Sequence, residues 1–186
     1  MKTYYQILFV IGLLFESIGQ ILLSKGNDFV YALKPIDFAH WSLLTGVVLL
    51  IPQIGYFRKS IFTYIGVPFI MIGITCIIGM CVLDFIWWSQ PTQEIRNQFA
   101  GQISKVPSIW KPFITTGPNF LNVGLFLLAL NYFKQNKVGV LLIILATLIV
   151  FFIRFIPSRL IYAYLITAIG YGLIFFNHKT SNEHQT

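Results

Sequence analysis

The sequence predicts an all-α, polytopic integral membrane helix bundle with six transmembrane helices and a short amphipathic interfacial helix. Of its 186 residues, 56% are hydrophobic and only 10% are charged, against about 45–50% and about 25% in a typical soluble domain. Its apolar residues are gathered into six runs, and about 20 residues suffice to cross a bilayer. Strand-type alternation is absent from these runs, which favours helices, since a helix satisfies its own backbone in lipid.

The six apolar runs are separated by polar or proline-containing turns. The last two runs are divided by a turn around Pro157, because proline interrupts a helix. The first run is expected to be retained as a span, since Glu16 interrupts it and no small-residue cleavage site follows. The predicted spans of this single membrane domain (residues 1–176) cover about 4–24, 38–57, 64–88, 113–133, 138–155 and 160–176, and a polar tail follows at 177–186.

The connection over residues 89–116 is long for a loop without structure of its own. Within it, Ile95, Phe99 and Ile103 recur at intervals of four residues, and polar residues fill the positions between them. We therefore predict an amphipathic helix over about 92–104 that lies on the membrane surface, flanked by tryptophans typical of the interface.

The basic charge balance is interpreted as membrane topology and attraction to lipid headgroups. The chain has 13 Lys and Arg against 6 Asp and Glu, and the cations stand in the turns between apolar runs. We predict the lipid bilayer as the main partner and no nucleic acid. Six cations would lie on the side of the termini, with the short turns at 58–59 and 134–137, and seven on the opposite side, so the positive-inside rule barely determines the orientation. We predict cytoplasmic termini in the plasma or cytoplasmic membrane, because the long third connection counts for less and all four tryptophans then lie on the outer side.

Glu16 is the sharpest candidate for function, because it lies halfway along the first predicted span. A charged side chain there costs at least about 2.5–3.5 kcal/mol and usually faces the bundle interior. Gly12 and Gly19 share its helix face, and Gln20 lies at the edge of that face, so neighbouring helices can approach closely. We predict Glu16 and Gln20 as substrate- or proton-coupling residues. A carboxyl group that only joins helices is the alternative.

Asp84 is the second candidate coupling residue. It lies one turn inside Trp87 and Trp88, near the end of the third predicted span. Pro118 predicts a helix start in the fourth span, which would place Asn119 and Asn122 at a similar depth. We predict a binding vestibule formed by Trp87, Trp88, Asn119 and Asn122. The alternatives are capping and interhelical amide bonds, with Asp84 paired to Arg96 or Lys111.

Motifs for metal binding and for several kinds of catalysis are missing from the sequence. Cys76 and Cys81 lie in one apolar run and cannot bridge each other on a helix, and two of the three histidines stand in the polar tail. There is no HExxH, GxSxG or P-loop sequence. We therefore predict no metal and no cofactor, and we disfavour hydrolase, zinc-enzyme and ATPase activity.

The order Glu16, Gly19, Lys25 in ESIGQILLSK resembles the first helix of small multidrug resistance exporters and related drug/metabolite transporters. In that family the glutamate binds a cation or proton in exchange, so the resemblance implies such a role for Glu16 alone. It covers about ten residues. The chain departs from the family in its six predicted spans, in its long third connection and in lacking counterparts of the other helices.

Three classes of function are compatible with these observations. The first is a small transporter or permease with Glu16 as its coupling carboxylate. The second is a non-catalytic subunit or assembly factor of a membrane complex, either as a homo-oligomer or with other chains. The third is a membrane-embedded enzyme on a lipid or isoprenoid substrate, with Glu16 or Asp84 as acid or base, for which the sequence offers no supporting motif.

Overall fold

The computed structural model of the protein describes residues 3–152 and 156–177, and every regular element within these ranges is a helix. The helices are α1 (Thr3–Leu23), α2 (Asn27–Ala32), α3 (Phe38–Ile54), α4 (Ile61–Ser89), α5 (Gln93–Ile103), α6 (Pro107–Ile109), α7 (Gly117–Leu130), α8 (Lys137–Phe152) and α9 (Arg159–Phe176), with a π-helical stretch Trp110–Thr116 joining α6 to α7.

Six helices form a closed ring in chain order. α1 packs on α3, α3 on α4, α4 on α7, α7 on α8, α8 on α9, and α9 again on α1. The apolar core runs through the middle of this ring. The Tyr171 hydroxyl of α9 donates a hydrogen bond of 2.6 Å to the Leu125 carbonyl of α7. This bond joins two helices that are not neighbours in the ring.

The two ends of the bundle differ in composition. One end, here called the Trp end, carries the turns that follow α1 and α4, residues 156–158 before α9, the short helices α2 and α5, and all four tryptophans: Trp41, Trp87, Trp88 and Trp110. The opposite end, here called the basic end, carries the turns after α3 and α7, with the cations Arg58, Lys59, Lys134 and Lys137.

Glycines bring the backbones of paired helices into contact. A Cβ atom built on Gly12 of α1 would lie 2.6 Å from the Gly46 carbonyl oxygen of α3, and one on Gly170 of α9 would lie 2.7 Å from the Gly139 carbonyl oxygen of α8. On α7, a Cβ at Gly124 would meet the α4 backbone at 2.5 Å. Small residues therefore determine how closely three helix pairs pack, as is common in membrane bundles.

Four helical segments are long and apolar enough to cross a membrane: α1, α4, the continuous stretch Pro107–Leu130, and α9. These segments indicate a membrane protein. α3 and α8 are also apolar but shorter, with 17 and 16 residues. Each of the six predicted spans corresponds to a helix of the ring, and the crossing of a membrane by α3 and α8 stays a prediction.

The helix ends lie within three residues of the predicted ones except at the start of the fourth segment, and one short helix is additional. The fourth helical segment begins at Pro107 rather than near 113, because Phe113 packs where Gly79 of α4 has no side chain. α2 was not predicted. The last two runs form separate helices that pack against each other, and residues 153–155 of the fifth predicted span lie outside the described residues.

The predicted interfacial segment coincides with α5. The Thr92 side chain caps the helix by accepting a hydrogen bond of 3.3 Å from the Ile95 backbone N–H. The Trp87 indole donates to the Arg96 carbonyl at 2.8 Å, which attaches α5 to the end of α4. No residue of α5 is buried in the bundle. Its position at a membrane surface stays a prediction.

Candidate functional site

Glu16 lies inside the helix ring, where its side chain is only 1% exposed. Its Oε1 atom has no hydrogen-bond partner, while the carboxyl group forms a hydrogen bond with the Val47 backbone. Oε1 points at Gly46 of α3, where a Cβ atom would lie 2.6 Å away. The absence of a side chain at position 46 is therefore what makes room for the carboxyl group.

The segments on either side of Glu16 are held by side-chain bonds to neighbouring helices. Ser42 of α3 donates to the Phe15 carbonyl at 2.7 Å, and Ser17 donates to the Ile161 carbonyl of α9 at 3.1 Å. These bonds hold α1 between α3 and α9 at the level of Glu16. The carboxyl group thus lies in a well-defined position, with one acceptor oxygen unused.

His40 lies between two carboxylates at the Trp end. Its Nδ1 is 2.6 Å from an Asp37 oxygen and its Nε2 is 3.2 Å from an Asp84 oxygen. Asp37 also caps α3 by accepting from the His40 backbone N–H at 3.1 Å. A neutral imidazole has only one N–H. Both contacts are hydrogen bonds only if the cluster carries a second proton, either on the ring or on a carboxyl group.

The His40 cluster borders a cavity of about 310 Å³ at the Trp end, within the size range of small-molecule sites. The cavity is lined by Leu23, Asn27, Val30, Tyr31, His40, Asp84, Trp87, Arg96, Asn97 and Ala100. The Arg96 guanidinium carbon lies 4.3 Å from the centre of the Tyr31 ring. Burial and the nearby Asp84 charge raise the pKa of Tyr31, and Arg96 opposes that rise.

Cys81 lies in the surroundings of both Glu16 and the His40 cluster. This thiol is buried and close enough to interact electrostatically with both Glu16 and Asp84. Gly46, which touches Glu16, follows His40 by six residues on α3, so Glu16 lies about 9 Å deeper at 1.5 Å per residue. Polar groups thus extend from the cavity into the centre of the ring.

A second set of polar groups meets Glu16 from the far side of the ring. Tyr164 of α9 is fully buried, interacts electrostatically with Glu16, and forms a hydrogen bond with the Asn122 side chain. The Asn122 amide also donates to the Pro118 carbonyl at 2.7 Å. Asn122 therefore belongs to the surroundings of Glu16 rather than to the cavity at the Trp end.

The other predicted site residues are dispersed. Gln20 lines a small cavity with Ser158 and Arg159, and Glu16 does not line this cavity. Asn119 lines a separate apolar cavity of about 210 Å³. Trp88 lies under the Lys34 ammonium group, 3.8 Å from one of its ring centroids. Of the predicted residues near the surface, only Asp84 and Trp87 share the cavity beside His40.

Pro118 lies in the first turn of α7, as predicted, but this turn is not a free helix end, because the π-helical stretch continues directly into α7 and Thr116 makes no side-chain cap. The dispersal follows from this continuity. Asn119 and Asn122 lie several turns inside the helical segment that begins at Pro107. They therefore lie deeper in the bundle than the residues around Asp84 at the Trp end.

Asp37 and His40 were missed in the sequence. Asp37 precedes an apolar run and stands three residues before His40, which is the spacing of an N-cap residue and the N–H that it accepts. The contact between His40 and Asp84 was not predictable, because it depends on α3 and α4 being neighbours. In the described ranges, no group of three His, Cys, Asp or Glu side chains has the arrangement of a metal site.

Comparison with protein-family models, with curated proteins and with solved structures found no match to this chain.

Proposed function

We propose that the protein is a small membrane transporter or permease in which Glu16 exchanges a proton through the His40 cluster. The observation that carries the proposal is a buried carboxyl group with an unused oxygen in the middle of a helix ring, about 9 Å below a polar cavity. An intramembrane carboxyl group in such a position is typical of proton relays.

The His40 cluster supports the proposal because the two ring nitrogens of His40 lie within hydrogen-bond distance of two carboxyl groups. Asp84 is partly accessible from the cavity, with 17% of its side chain exposed, while Asp37 and His40 are more deeply buried. A proton that enters from the cavity would meet Asp84 first. Cys81 lies near both Asp84 and Glu16. We propose that a water molecule beside Cys81 passes the proton on to Glu16.

The proposal includes six membrane crossings with the basic end in the cytoplasm. At 1.5 Å per residue α3 and α8 reach about 24–26 Å, close to the thickness of the hydrocarbon layer. They lie between the four longer segments in the ring. In the described residues the basic end carries cations and no acid, whereas the Trp end mixes both signs. With the basic end in the cytoplasm, the cations of the short turns at 58–59 and 134–137 lie inside and all four tryptophans lie on the outer side.

Labelling with dicyclohexylcarbodiimide tests proton exchange without knowledge of the substrate, because this apolar reagent adds to protonated carboxyl groups. The purified protein is labelled over a pH series, and the modified residue is located by peptide mass spectrometry. We expect an adduct on Glu16 that decreases as pH rises. Glu16→Gln removes it. Glu94→Gln is the matched control, because Glu94 is an exposed acid on α5. A Glu16 that is never modified contradicts the proposal.

Transport is tested in liposomes that contain a pH-sensitive dye, with an imposed pH gradient. An organic cation, a mixture of amino acids and an organic anion are added separately. We expect one of these probes to move protons with the wild type and with Glu94→Gln but not with Glu16→Gln. Equal proton movement in Glu16→Gln and wild type contradicts the role of Glu16. A wild-type protein that moves no proton with any probe contradicts transport.

A further inference from the structure

A second cavity, of about 660 Å³, opens at the basic end, on the opposite side of the bundle from the His40 cluster. Three cations line it: Arg58, Lys59 and Lys134. Ser60, Asn131 and Gln135 line it as well, and its apolar wall is formed by Phe62, Leu130 and Phe133. We call it the basic cavity. The proposed transport site uses none of these residues.

The electrostatics of the basic cavity favour an anion. In the described part of the chain, Glu16 lies at the middle of α1 and every other acid lies at the Trp end, so no carboxylate of the described residues lies among the three cations. α4 begins at Ile61 beside the cavity, and the N-terminus of a helix carries partial positive charge. The three cations and the N-terminus of α4 therefore both attract an anion to the cavity.

The turn that carries two of these cations is anchored to both helices. Thr63 of α4 donates to the Arg58 carbonyl at 2.6 Å, and the Asn131 amide donates to the Thr63 hydroxyl at 2.9 Å. The Ser60 hydroxyl donates a further hydrogen bond to the side-chain amide oxygen Oδ1 of Asn131. The backbone at 58–60 is thus fixed against the end of α7, which brings the cations of both turns to one cavity.

The apolar wall indicates which kind of anion fits. Phe62 and Phe133 line the cavity and are 39% and 42% exposed. Phe62 is followed on α4 by the exposed Tyr64 and Ile65, so the wall continues into the outer apolar surface of the bundle. A ligand with a negatively charged head and a hydrocarbon body would satisfy both parts at once.

We propose that the basic cavity binds the phosphate of an anionic phospholipid headgroup. Arg58, Lys59 and Lys134 contact the phosphate, and the acyl chains lie along Phe62 and Phe133. The proposal is independent of proton exchange at Glu16, so the Glu16→Gln variant is expected to bind the lipid as the wild type does.

Native mass spectrometry tests this assignment with phosphatidylglycerol, phosphatidylcholine and soluble glycerol phosphate as probes. Each is titrated into the purified protein in a mild detergent. We expect phosphatidylglycerol to bind more tightly than phosphatidylcholine, and glycerol phosphate to leave the lipid adduct in place. Replacement of all three cations by Gln is expected to weaken phosphatidylglycerol binding on the order of 100-fold, from the usual contribution of each cation near a lipid surface.

The matched control replaces three exposed lysines at the Trp end, Lys25, Lys105 and Lys111, by Gln, which changes the net charge equally. It should bind phosphatidylglycerol as the wild type does. If the triple variant of the basic cavity does not fold, the double variant Lys59→Gln/Lys134→Gln is used, with an expected loss of about 30-fold.

Three results would overturn the proposal. Equal losses in the cavity variant and the control would assign binding to net charge alone. Equal binding of phosphatidylcholine and phosphatidylglycerol would remove the selectivity for an anion. Displacement of the lipid by glycerol phosphate at equal concentration would assign the cavity to a soluble phosphate ester.

Discussion

Gly170 and Gly172 lie two residues apart on α9 but face different surroundings. A Cβ atom added to Gly170 would lie 2.7 Å from the Gly139 carbonyl oxygen and 2.7 Å from Cγ1 of Ile143, both on α8. A Cβ atom added to Gly172 would have nothing within 4 Å. The same substitution to alanine should therefore have opposite effects on stability at these two positions.

The magnitudes follow from two contributions. In a helix, alanine is favoured over glycine by about 1 kcal/mol, and both variants gain this. Gly170→Ala must also push α8 and α9 apart, because a backbone carbonyl cannot move aside as a side chain does, and overpacking of this kind costs about 1–3 kcal/mol. The two variants should thus differ by about 1–3 kcal/mol, or about 2–12 °C in Tm for a chain of this size.

Thermal unfolding in detergent, followed by tryptophan fluorescence, measures this difference. Gly172→Ala should unfold at or above the wild-type temperature and Gly170→Ala below it. Cysteine pairs or spin labels placed across α8 and α9 would report whether the helices have separated in Gly170→Ala. Equal Tm values for the two variants would refute the close contact between α8 and α9.

Two further predictions follow from single contacts. Tyr171→Phe removes the hydrogen bond to a backbone carbonyl of α7 and should lower Tm by about 2–4 °C, the equivalent of about 1 kcal/mol. The control Tyr162→Phe, at a side chain that is 52% exposed, should leave Tm unchanged. An unchanged Tm in Tyr171→Phe would argue against the bond across the ring. Arg96→Gln removes a positive charge beside Tyr31 and should raise the pKa of Tyr31 further. A pH titration followed by NMR of carbon-labelled tyrosine would detect this rise. A lowered pKa of Tyr31 would contradict the placement of Arg96 over that ring.

Most of the fold could be predicted because apolar runs of sufficient length leave few alternatives to helices. The predicted spans at 4–24 and 160–176 lie within one residue of α1 and α9 at either end. The fourth span was predicted less well. The sequence from Pro107 to Thr116 mixes polar and apolar residues, and its helical structure depends on packing against α4, which the local pattern does not contain.

The candidate site was predictable only in part. Glu16 stood out because a carboxylate is costly within an apolar run, and burial of this side chain agrees with that reasoning. His40 gave no comparable signal, since a single histidine near a helix start is compatible with many surroundings. Its significance arises from Asp84, which is 44 positions away in the chain.

The sequence by itself determined that the chain forms apolar helices, where most of them begin and end, and that Glu16 would be buried. Composition and local pattern suffice for these properties, because each depends on neighbours within a few turns. Only the tertiary structure decided that six helices close into a ring, that His40 joins Asp37 to Asp84, and that Asn119 lies apart from both. These properties depend on which helices pack together, and that choice is made by contacts such as Gly139 on Gly170, whose partners are distant in the chain.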